Sequence, residues 1–72
     1  MNYCGILVHF ISPTLVEILD EPEPYFMSRA DVEEAITNVK ANRSKYASDV
    51  AYLRRLGFFE EILATMKQGV QS

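Results

Sequence analysis

Two side chains near the start of the chain are of the types that make a nucleophile and its base, Cys4 and His9. A thiolate works as a nucleophile when an imidazole within hydrogen-bond reach takes its proton and a third group orients the ring. Five residues separate the two in an apolar run. On a strand they face opposite sides, on a helix they are imperfect neighbours, and no third group is placed to hold His9. The expected roles are a packed thiol and a capped or exposed imidazole. Glu33-Glu34 and Glu60-Glu61 are adjacent pairs and splay across a helix instead of converging on one bond as glycosidase carboxylates do. The glycines, at 5, 57 and 69, form no phosphate-binding loop. One cysteine allows no disulfide within the chain, and no Cys/His cluster could hold zinc. Catalytic, cofactor-binding and metal-binding residues are therefore expected to be none, with no cofactor and no enzyme activity.

What remains is chemistry of association. Apolar residues make up 49% of 72 residues, with four tyrosines and four phenylalanines, a load that predicts burial against a second copy or another protein. Aromatic and arginine side chains are the usual anchors of such contacts. The candidates are Tyr25 and Phe26, beside an acidic tether, and Tyr52, Arg54 and Arg55, off the main apolar seam. Charge is divided along the chain: seven acids against Arg29 from Glu17 to Glu34, net −6, then five bases against Asp49 from Lys40 to Arg55, net +4. Such a division can pair within the fold, across a dimer, or with an oppositely charged partner. The sequence predicts a small non-enzymatic regulator or inhibitor that occupies a surface of a larger protein and forms a homodimer. The alternatives are a DNA-binding regulator of helix-turn-helix type, using Arg43, Lys45, Arg54 and Arg55, and a structural or assembly subunit. Against DNA stands a second helix that opens Phe59-Glu60-Glu61 and has no base before Lys67, together with a net charge of −3. The N-terminus lacks a basic region and cleavage motif, and His9 and Glu17 interrupt any membrane segment, so a cytoplasmic protein with no membrane partner is expected.

The elements that must position these groups follow from periodicity. Residues 1–72 are expected to form a single small domain: an apolar N-terminal element (1–19), an acidic proline-containing connector (20–27), a helical region (28–67) and a frayed tail (68–72). In NYCGILVHFI, Ile6, Val8 and Phe10 alternate with Leu7, His9 and Ile11, and both sides are largely apolar, so a strand here is covered on two faces or paired at an interface. Ser12-Pro13 opens either a short helix over Pro13–Asp20 or a hairpin whose second strand is Leu15–Leu19. Ser28 and Asp31 make a reciprocal capping box at a helix start. Asn42 can end that helix and Ser44 cap a new one. Alternatively residues 29–56 continue as one helix of about 42 Å whose seam, Val32, Ile36, Val39, Tyr46, Val50 and Leu53, pairs with a second copy. Gly57 suits the left-handed position past a helix end, so a Leu-Gly-Phe corner is expected before a last short helix. The predicted fold class is mainly α, with a small α+β fold as the other possibility: an N-terminal strand or hairpin followed by two to three helices, as a helical hairpin or a short antiparallel coiled-coil dimer.

Overall fold

The structure, a computed structural model, describes residues 2–3, 5–20 and 23–69. Four antiparallel strands in the order β1-β2-β3-β4 precede two helices. The mainly α expectation is thus corrected to a ββββαα fold. β1 is Asn2–Tyr3, β2 Ile6–Ser12, β3 Leu15–Leu19 and β4 Tyr25–Ser28. Gly5, at φ 87°, closes the turn from β1 to β2, a conformation that glycine adopts without cost. Of the two readings of Pro13–Asp20, the hairpin is the one formed: Ser12 pairs with Leu15 and Phe10 with Val16, and a bulge leaves Ile11 without an opposite residue. Within the 20–27 connector, Tyr25–Met27 belong to β4 and only the stretch ahead of it connects. Tyr25 lies opposite Ile18, and Met27 opposite Val16.

Helix α1 runs Arg29–Ala41 and begins as its sequence predicts. The Ser28 hydroxyl accepts from the Asp31 amide at 3.1 Å, and the Asp31 carboxylate accepts from the Ser28 amide at 3.0 Å. The Arg29 amide also donates to the Thr14 carbonyl at 2.9 Å, which ties the helix start to the β2–β3 turn. Asn42 ends α1, its own amide group donating to the Asn38 carbonyl at 2.7 Å. A 3₁₀ turn at Arg43–Lys45 follows, and Ser48, not Ser44, caps helix α2, Asp49–Lys67.

Of the two readings of residues 29–56, the broken one is formed, so the continuous helix and its coiled-coil seam do not occur: Val32 and Val39 are buried in the core, Tyr46 lies outside both helices, and Val50 and Leu53 face solvent. Nor does the chain turn at Gly57. Helix α2 passes straight through it, and its φ is not among the positive ones. The reason lies far away in sequence: a Cβ on Gly57 would stand 2.7 Å from the Tyr3 hydroxyl, and the Tyr3 ring packs on Phe58 with centroids 5.7 Å apart. Glycine is here because β1 presses on the helix. The glycine that does close α2 is Gly69, at φ 86° and donating to the Met66 carbonyl, within what the sequence presents as a frayed tail.

Both helices cover one face of the sheet. Val8, Val16 and Ile18 from the strands meet Val32 and Val39 of α1 and Tyr52, Phe58, Phe59, Ile62 and Met66 of α2 in one core. No helix of the described residues is long and apolar enough to cross a membrane.

Candidate functional site

Helix α2 has two apolar surfaces. One is the core face just described. The other lies in its first half, where Val50 and Leu53 are 64% and 59% exposed. Val50, Leu53 and Arg54 stand at i, i+3 and i+4 and so share one side of the helix. Nothing in the fold requires an exposed valine and leucine there. Helix propensity would favour alanine, lysine or glutamate over the β-branched Val50, and a lysine or glutamate would serve the helix as well as Leu53 does.

The segment before α2 extends this surface. Ala41, Arg43, Ser44, Tyr46, Ala47, Ser48 and Asp49 line an open hollow of about 720 Å³ between the end of α1 and the start of α2. Its walls are held by aromatic contacts. Tyr46 meets Tyr52 edge-on at 5.8 Å, and the Arg43 guanidinium lies 4.9 Å from the Tyr52 ring centre while its tip stands 3.5 Å from the Asp49 carboxylate. Cationic and aromatic groups thus replace regular structure in fixing the connection. From Arg43 to Arg55 the sequence carries four cations against one carboxylate, Asp49, and of the four Arg54 shares a helix side with Val50 and Leu53.

The five expected contact residues do not form one patch. Phe26 is exposed, on the sheet's outer face. Tyr25 points to the inner side of the same strand and packs against the core. Tyr52 is buried beneath Arg43, so it supports the hollow instead of lining a contact. Arg55 is exposed, but its guanidinium stacks 4.9 Å from the Phe59 ring centre and shields the core edge. Arg54 is exposed and makes no ion pair or hydrogen bond among the described residues. Of the second set, Val50 and Leu53 remain accessible, whereas Val32 and Val39 are consumed by the core and Ile36 and Tyr46 pack against it. Sequence reasoning placed Val50 and Leu53 on a helical seam, which recognised an apolar stripe but not that it would be left uncovered.

As to chemistry, His9 lies with its Nδ1 3.7 Å from Glu17 Oε1 across β2 and β3. Cys4, the other residue weighed as a candidate, falls outside the described residues. Among the described residues no three His, Cys, Asp or Glu side chains come together as metal ligands, and no buried side-chain polar atom is left unpaired. Comparison with protein-family models, curated proteins and solved structures gave no significant match.

Proposed function

We propose that this protein is a non-enzymatic protein-binding module, a small regulator or inhibitor, that docks the first half of α2 into an apolar groove on a larger partner. The observation that supports this most is the exposure of Val50 and Leu53 on a helix whose opposite face already fills the core. A helix seated in a groove is anchored by side chains at such spacings. Arg54 beside them and Arg43 in the hollow ask for carboxylates at the groove's rim, which would speed encounter and fix orientation. The same apolar centre disfavours DNA, because valine and leucine offer phosphates neither charge nor hydrogen bonds. The reading includes a cytoplasmic setting.

The test is capture from a lysate of the source cells, treated with nuclease, by the wild-type chain and by the double variant Val50→Lys/Leu53→Lys. Burying these two side chains stabilises a complex by about 3 kcal/mol, so the variant is expected to bind roughly a hundredfold more weakly while folding normally. A protein partner held equally by both chains, or material lost on nuclease treatment, would contradict the proposal.

A further inference from the structure

All seven lysines and arginines lie from Arg29 onward, and the four strands contain none. Sheets that face water are commonly polar on that side, and exposed strands are commonly guarded by lysine. This sheet is neither. Leu7, Leu19 and Phe26 are 51%, 42% and 60% exposed on the side away from the helices. The register makes them one surface. Leu7 sits directly opposite Leu19, Glu17 stands between His9 and Phe26, and half-buried Leu15 continues the face beside Ser28. Ile11, at the bulge, is exposed at its end. The imidazole of His9 and the carboxylate of Glu17 are the only titratable groups in these outer rows.

We propose that this outer face is the interface between two copies of the chain, stacked sheet on sheet about a two-fold axis beside the His9–Glu17 pair. Charge pattern selects a second copy over another partner. A hetero-partner chosen electrostatically would meet an unbalanced cluster, whereas here a cationic-capable group and an anion stand side by side at the centre. Rotation by two-fold symmetry brings His9 towards Glu17 of the partner subunit and Glu17 towards the partner's His9, so the surface complements itself. Aligned stacking about 10 Å apart interdigitates leucine and phenylalanine side chains as in a sandwich core. The helical layers then lie outermost, and the α2 surface proposed for the larger partner stays free on each copy.

The experiment is molar mass by light scattering over a concentration series reaching high micromolar. The wild-type chain is expected at twice its 8.2 kDa mass. Leu19→Lys/Phe26→Lys is expected at 8.2 kDa with an unchanged circular dichroism spectrum, since neither side chain is needed by the core. Val50→Lys/Leu53→Lys is expected to remain at twice the chain mass. If the double lysine variant loses its spectrum, the milder His9→Glu decides, because it sets carboxylates against one another across the axis and is expected to dissociate the pair. The exchanged variant His9→Glu/Glu17→His is expected to restore it. A wild-type chain at 8.2 kDa throughout, a folded Leu19→Lys/Phe26→Lys variant that stays at twice that mass, dissociation caused by the α2 variant, or an exchange that fails to restore pairing would each overturn the proposal. Because the two surfaces carry separate variants, loss of self-association and loss of partner binding are read independently.

Discussion

Ile62→Ala is expected to remove about 3 to 4 kcal/mol of folding stability, the usual cost of truncating a fully buried branched side chain. Ile62 has no solvent exposure and lies where α2 meets the sheet, in a cluster with Ile18, Val16, Val32 and Met66, which are just as inaccessible. Little can move in to fill the space, since these neighbours come from three different elements. A chain of this length has only about 4 to 10 kcal/mol in total, so the variant should be partly unfolded at room temperature. Urea denaturation followed by circular dichroism, at one fixed protein concentration because association would add stability, measures the loss. Leu53→Ala, at an exposed site of the same helix, provides the contrast and is expected to change stability by less than about 0.5 kcal/mol. A loss below about 1 kcal/mol for Ile62→Ala would mean that the core is not built around this face of α2.

The second large effect concerns Gly57 and depends on a residue 54 positions away. Gly57→Leu is expected to destabilise the chain by about 2 to 3 kcal/mol, because its Cβ would lie 2.7 Å from the Tyr3 hydroxyl and the Tyr3 ring is itself packed, tilted, against Phe58. In a Tyr3→Ala background the sign reverses. With the phenol gone, a leucine in a helix interior is favoured over glycine by about 0.5 to 1 kcal/mol, so the same substitution becomes stabilising. The coupling of roughly 3 kcal/mol is read from a double-mutant cycle by denaturant titration. The contrast separates two architectures. Were Gly57 a helix end in the left-handed conformation, leucine there would be unfavourable with or without Tyr3. Equal losses in both backgrounds would therefore put a corner where the structure has a straight helix.

Much of the local structure was legible, and each exception has its own physical cause. Ser28 and Asp31 announced the start of α1 because a capping box needs only residues three apart. Asn42 marked its end through its own side chain, and the alternation of Leu15–Leu19 supported the hairpin that formed. Gly57 misled because its local signal, a glycine after an apolar run and before a phenylalanine, is that of a helix end, whereas the deciding contact comes from Tyr3 in β1. The regular spacing from Val32 to Leu53 also described no physical surface, since the 3₁₀ turn at Arg43–Lys45 breaks its phase. The mainly α expectation failed on strands too short to signal themselves. β1 has two residues and β4 four, the latter directly after a proline-rich acidic stretch. Of the candidate contact residues, Phe26 and Arg54 were legible as exposed. Tyr52 was not, because its burial depends on how Arg43 and Tyr46 fold over it. Leu7 and Leu19 were within reach: a run apolar on both sides, such as Ile6–Ile11, signals a strand covered on two faces, and only the position of the helices shows which face is left open.

Site-specific photo-crosslinking distinguishes the occupants proposed for the two uncovered apolar surfaces. A photoreactive phenylalanine analogue would replace Leu53 in one chain and Phe26 in another, each expressed in the source cells and irradiated. Position 53 is expected to yield an adduct with a larger, different protein, and position 26 an adduct of twice the chain mass containing only this sequence. No adduct at position 53, or the same product from both positions, would contradict this pairing of surface and occupant.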